Sequence, residues 1–86
     1  MPDRPKKILI ADSDDAFRES VRTFIRTLAH QVFEAVTGPE AIDKASAIVP
    51  DLVIMAVRLP ELNGDDVVKR LKANRVTRNI PVVIST

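Results

Sequence analysis

Pro50-Asp51-Leu52-Val53-Ile54-Met55-Ala56-Val57-Arg58-Leu59-Pro60-Glu61-Leu62-Asn63-Gly64 sets the architecture of the chain. Leu52 to Met55 is a short continuous apolar run with two β-branched residues, entered after a proline, and it reads as a buried strand. Pro60 and then Asn63-Gly64 stop that strand and make a tight loop ahead of the next helical pattern. Ligands of an open parallel sheet sit just outside the carboxyl ends of its strands, so chemistry is expected in this loop. The residue standing there is Ala56, which has no reactive group.

Outward from that strand, the same grammar repeats. Upstream, Lys6 to Ala11 holds Ile8, Leu9 and Ile10 without polar alternation, as a strand covered on both faces would. Asp12-Ser13-Asp14-Asp15 follows, with helix-capping side chains and carboxylates suited to the positive end of a helix dipole. A first helix is predicted from about Asp15 to Ala29, with Phe17, Val21, Phe24, Ile25 and Leu28 on one inward face. Arg18, Glu19, Arg22 and Arg26 fall on its other side. Gln31 to Ala35 reads as a second strand. Thr37-Gly38-Pro39-Glu40 opens a second helix, whose stripe is Ala41, Ile42, Ala45 and Ile48 or Val49, and Pro50 closes it. Downstream, a third helix is predicted from Asp65 to Asn74, with Val67, Val68 and Leu71 inward, and a fourth strand from Ile80 to Ser85. The order β-α-β-α-β-α-β with short connections means a parallel sheet with helices on its faces.

Composition sets the outer bounds. The 86 residues are 45% hydrophobic and 29% charged, the balance of one small globular domain. A net charge of +1 gives no whole-domain argument for nucleic acid or an anionic membrane. The absence of cysteine excludes disulfides, thiolate metal sites and a cysteine nucleophile. The apolar run after the basic start is too short for a signal-peptide core or a membrane span, so a soluble cytoplasmic protein is expected. His30, the one histidine, falls at the turn into the second strand and reads as a surface turn residue. Arg70, Lys72, Arg75 and Arg78 form a basic run on and after the third helix. It reads first as a solvated face, with contact to an acidic partner or to nucleic acid as the other reading. With no Tyr or Trp to interleave, the nucleic-acid case is weak.

At the strand ends the topology gathers Asp12 and Ser13, then Ala56 to Arg58, then Thr86 around one cleft. Two carboxylates after the first strand facing a third after the third strand would make an oxygen-rich magnesium site, and the third could take a phosphoryl group. Here Asp12 alone is well placed, and Asp14 and Asp15 read as helix-cap and first-turn residues. Ile8-Leu9-Ile10-Ala11-Asp12-Ser13-Asp14, Pro50 to Gly64 and Pro81-Val82-Val83-Ile84-Ser85-Thr86 together resemble the receiver domain of two-component response regulators, from Lys6 to Thr86. The resemblance implies a flavodoxin-like fold, a phosphoryl group taken from a histidine kinase or phosphotransfer protein onto an aspartate, and Mg²⁺ held by acids after the first strand.

Carried onto this chain, the resemblance places Asp12 at the first acidic-pocket position and Ser13 where a second acid is usual. Ala56 falls on the phosphoacceptor, and Arg58 would offer its backbone carbonyl to the metal. Pro60 and Gly64 shape the loop, and Thr86 is the hydroxyl residue of the phosphoryl site and switch. No enzyme activity is implied. Without a carboxylate at position 56 there is no nucleophile for aspartyl-phosphate formation, and Mg²⁺ binding is doubtful. A native pseudo-receiver that works by binding alone and an Asp→Ala block in an ordinary receiver fit position 56 equally. A receiver of a two-component phosphorelay, not phosphorylatable as written, is the first functional reading. A phosphorylation-independent interaction or dimerisation module is the alternative, and a small flavodoxin-like enzyme is disfavoured by the lack of a Gly-rich phosphate loop. Residues 1–5 are expected to be a disordered lead and 6–86 a partial receiver of strand order 2-1-3-4, without a fifth strand and helix. An open fourth-strand edge of Val82, Val83 and Ile84 then predicts either a homodimer, through that edge or by exchange of an end segment, or a chain only marginally folded alone.

Overall fold

The computed structural model describes residues 4–85. Each apolar run becomes a strand: β1 (Lys7–Ala11), β2 (Gln31–Ala35), β3 (Leu52–Ala56) and β4 (Val82–Ser85), all parallel in one sheet of order β2-β1-β3-β4. Between them lie α1 (Asp15–Thr27), α2 (Gly38–Ile48) and α3 (Gly64–Ala73). This is the α/β, flavodoxin-like arrangement expected of the sequence. In register, Ala11 stands beside both Ala35 and Met55, and Ala56 stands beside Ser85. The carboxyl ends of β1, β3 and β4 therefore line up.

Local chemistry sets the helix ends. Asp14 caps α1, its Oδ1 accepting from the N–H groups of Ala16 (2.9 Å) and Phe17 (3.2 Å). Thr37 caps α2 by accepting from Glu40 N–H at 3.1 Å, while Glu40 reaches back to accept from Val36 N–H at 2.7 Å. α1 stops at Thr27, two residues before the predicted end, because Ala29 turns into the left-handed region at φ 64°. Leu28 and Ala29 then donate to Ile25 and Arg26 carbonyls. α3 begins and ends one residue earlier than predicted, with Asn63 at its N-cap position. β4 starts at Val82 rather than Ile80, since Ile80 closes a turn by donating to Thr77 O at 3.0 Å.

Side chains alternate between two sheet faces. On one, Leu9, Ala11, Val53 and Met55 pack with Ala41 and Ala45 of α2 and Val67 and Leu71 of α3, all essentially inaccessible. On the other, Ile8 and Ile10 pack with Ile25 of α1, supported by half-buried Phe17, Val21, Val32, Leu52 and Ile54. The inward face predicted for α1 needs correction here. Phe24 is 64% exposed and Leu28 52% exposed. Phe17, Val21 and Ile25 form the i, i+4, i+8 row that meets the strands, whereas Phe24 and Leu28 lie on the flank of that row. Among the described residues, no other element packs against that flank. Val49, offered as one end of the α2 stripe, is also exposed, having entered the left-handed region as the C-cap. Ile48 is half-buried.

His30 sits at the turn into β2, where its Nδ1 accepts from Lys6 N–H at 2.9 Å. No helix among the described residues is long and apolar enough to cross a membrane.

Candidate functional site

A cleft of about 380 Å³ opens at the carboxyl end of the sheet, lined by Asp12, Asp14, Phe17, Ala56, Val57 and Arg58. β1 delivers Asp12 to it, with the Asp12 N–H anchored on Ala35 O at 3.0 Å. Asp12 Oδ1 accepts from Asp14 N–H at 2.9 Å, folding Asp12 to Asp14 into a tight turn that feeds the α1 cap. Ser13, at the apex of that turn, is exposed and lies outside the lining. Asp14 is spent on the cap, and Asp15 sits in the first turn of α1.

Across from Asp12, β3 ends at Ala56, half-buried, with exposed Val57 and Arg58 continuing into the loop. Gly64 returns the chain close to this strand end: its N–H donates to Val57 O at 2.8 Å. A Cβ on Gly64 would lie 2.5 Å from Ala56 O and 3.0 Å from Val57 O, so only glycine fits this approach. Pro60 O accepts from Gly38 N–H (3.2 Å) and Leu62 N–H (2.8 Å), fastening the loop to the start of α2. Gly38 is as constrained, with Leu62 O 2.3 Å from the position of a Cβ. Ser85, beside Ala56 in register, turns its hydroxyl back to Met55 O at 3.4 Å. Thr86 lies outside the described residues.

One positioning residue escaped the reading of the sequence. Arg18, placed there on the outer side of α1, turns back to donate from Nη1 to Asp12 O at 2.7 Å and from Nε to Glu34 at 3.0 Å. Another guanidinium nitrogen, Nη2, pairs with Asp15. Arg22 completes the group by donating to the other oxygen of Glu34 at 2.7 Å. The Arg18 guanidinium is held charged, first by the bond to Asp15 and then by Glu34, against the opposing cost of burial. Glu34 is held below the ordinary carboxylate range, first by its bond to Arg22 and next by Arg18. The available signal was the pair Arg18 and Arg22 one turn apart on α1, facing the lone acid of β2.

The cleft carries few charged oxygen donors. Among the described residues, no three His, Cys, Asp or Glu side chains gather as a metal would need. Asp12 offers one carboxylate, Asp14 is committed to the helix cap, Ala56 offers nothing and Arg58 brings a cation to the rim.

Comparison with known proteins fixes the class. The family of response regulator receiver domains matches residues 8–86, and the chain belongs to it. It is thus a receiver of two-component signalling, a family of signalling modules rather than catalysts. Among relatives, the polar-differentiation response regulator DivK of Brucella anthropi is 33% identical over 82 residues, spanning 95% of this chain and 67% of that protein. DivK of Brucella ovis is 32% identical over 81 residues, spanning 94% and 66%. The chain therefore spans about two thirds of the length of these relatives. The N-terminal receiver domain of a Methanoculleus marisnigri response regulator superposes with a TM-score of 0.90 at 26% identity, over 94% of this chain and 66% of that one. A receiver domain of a Pseudomonas aeruginosa sensor histidine kinase, solved with magnesium in its active site cleft, gives a TM-score of 0.91 at 23% identity, over 96% and 68%, a likeness of fold.

Proposed function

We propose that this chain is a receiver that signals through protein contacts without forming an aspartyl phosphate. The observation that carries the reading is Ala56, a methyl group at the end of β3 facing Asp12 across the cleft. A carboxylate is needed there both as nucleophile and as metal ligand, and alanine supplies neither. Ser13, exposed in the turn after β1, adds no charge. The loop that shapes the cleft is retained: Gly64 still makes its close approach to Ala56, and Pro60 still ties the loop to α2. In this reading the shape a histidine kinase or phosphotransfer protein would recognise persists, while the chemistry is lost.

The test restores carboxylates in two steps and follows Mg²⁺ and beryllofluoride binding by calorimetry. The unmodified chain is expected to bind neither. Ala56→Asp alone should bind Mg²⁺ weakly, and Ser13→Asp with Ala56→Asp, which with Asp12 makes three acids, should bind at least about tenfold more tightly, since charge count sets affinity at such sites. Acetyl phosphate labelling of the unmodified chain would overturn the reading.

A second reading, self-association at β4, has its own observation. Val53 N–H donates to Pro81 O at 3.0 Å, so alternation along the ladder turns the backbone groups of Val82 and Ile84 outward. Beside that edge, Val57, Val68 and Ile84 line an apolar hollow of about 370 Å³. Asp65 and Lys69, one turn apart on α3, rim it with opposite charges that a two-fold axis would pair between copies. Light scattering over a range of concentrations is expected to show a dimer that Ile84→Lys returns to monomer. A concentration-independent monomer mass rules this association out.

A further inference from the structure

We propose that the end of α3 and the turn after it form a docking surface for an acidic protein segment carrying an apolar side chain. The charge distribution points there first. Residues 67–80 hold Lys69, Arg70, Lys72, Arg75 and Arg78 and no acid. With 13 cations and 12 acids in the whole chain, the remainder holds 8 and 12, so a local +5 sits against −4 elsewhere. Among the described residues the four ion pairs all lie elsewhere, between Arg18, Arg22 or Lys44 and Asp15, Glu34 or Glu40.

A helix-dipole explanation accounts for part of this. Arg70 and Lys72 fall in the last turn of α3, where cations are favoured. Lys72 is further used locally, donating to the carbonyls of Arg78 and Ile80 at 3.1 Å each. Arg75 and Arg78 lie beyond the helix, and neither the dipole nor an ion pair explains them.

The surface is shallow, and the turn that carries it is held by hydrogen bonds. Arg70, Ala73, Asn74, Arg75 and Val76 line an open hollow of about 920 Å³, and Val76 is 54% exposed. Beneath it Thr77 is fully buried, its hydroxyl donating to Leu71 O at 2.7 Å. Asn74 Oδ1 accepts from Val76 N–H at 2.8 Å, and Asn74 O accepts from the N–H groups of Thr77 and Arg78. The turn is thus preorganised, which lowers the ordering cost of binding. Two arginines lining the same hollow as Ala73 and Val76 offer carboxylate partners beside an apolar contact.

A protein segment suits this surface better than nucleic acid or membrane. The chain's net charge of +1 gives little whole-domain attraction to a polyanion such as nucleic acid or a membrane, and no aromatic residue lies in the cluster to stack a base. α3 starts beside Ala56 and runs about 15 Å away from the cleft, so the surface lies at the opposite end of the sheet and does not rest on the reading of Ala56.

The experiment is fluorescence anisotropy of a labelled peptide of glutamates interspersed with leucines, titrated with the unmodified chain. Saturable binding is expected, weakening as ionic strength rises from about 0.01 M to about 0.15 M. Arg70→Gln with Arg75→Gln should weaken it about tenfold and Val76→Ser by less, while Arg26→Gln on the remote α1 leaves it unchanged. Circular dichroism checks that each variant is folded. Absence of saturable binding, an equal loss in Arg26→Gln, or tighter binding of duplex DNA or anionic vesicles than of the peptide would each overturn the proposal.

Discussion

The two faces of the sheet carry similar apolar patterns and bury them differently. Under α2 and α3, small Ala41 and Ala45 let the helices approach, and Leu9, Val53, Met55, Val67 and Leu71 are sealed to 1% exposure or less. Under α1, Ile25 is the one buried helix residue, and Phe24, Leu28 and Val83 remain about half exposed or more. α1 is held there partly by polar contacts, through Arg18 and Arg22 on Glu34. An apolar stripe states what a helix is able to bury. A second surface must arrive before the stripe is buried.

The contrast can be broken most directly with truncations. Leu71→Ala should cost about 2–5 kcal/mol in urea unfolding, because a sealed site keeps much of the cavity it creates. Phe24→Ala, the larger deletion, should stay within about 0.5 kcal/mol. Equal losses at both positions would mean that the α1 flank is covered in solution. Gly64→Ala is next in size. Its methyl would meet the backbone oxygens of Ala56 and Val57, so a loss of about 1–3 kcal/mol is expected, with chemical-shift changes centred on the cleft. An unperturbed cleft in that variant would show that the loop can retreat.

The smallest effect is electrostatic. Glu34 and Glu40 both have folded-state pKa values lowered from 4.5, Glu34 first by Arg22 and Glu40 first by the Val36 N–H. A lowered folded value means the stabilisation is complete above the unfolded value and is lost as pH falls through the folded one. Stability should therefore be flat near neutrality and decline below about pH 4.5. Glu34 ties α1 to β2, so amides of α1 should lose exchange protection on acidification before those of α3. Simultaneous loss would show that the polar contacts do not distinguish the faces.

Much of the fold was legible in the residues themselves. Apolar runs such as Ile8-Leu9-Ile10 and Leu52 to Met55 have no polar alternation, so strands covered on both faces were the available reading. Asp14 as a cap and the opening of α2 at Thr37-Gly38-Pro39-Glu40 followed from side-chain chemistry that acts within a few positions. Boundaries drifted where a turn intervened: Ala29 in the left-handed region ended α1, and the Thr77 turn took Ile80 out of β4.

At the cleft, local pattern settles the inventory: Asp12 present, alanine at 56, serine at 13, Pro60 in the loop after β3 and Gly64 at the start of α3. Composition and order along the chain are sufficient for that, because each strand end is set by local pattern. Packing across the sheet decided that Arg18 turns back onto Asp12 and Glu34 and that Phe24 has no element over it among the described residues. It also decided that Arg70, Arg75 and Val76 share one hollow. These outcomes depend on which surfaces meet across the sheet, and helical periodicity gives a residue's angle on its own helix but not its distance to another element.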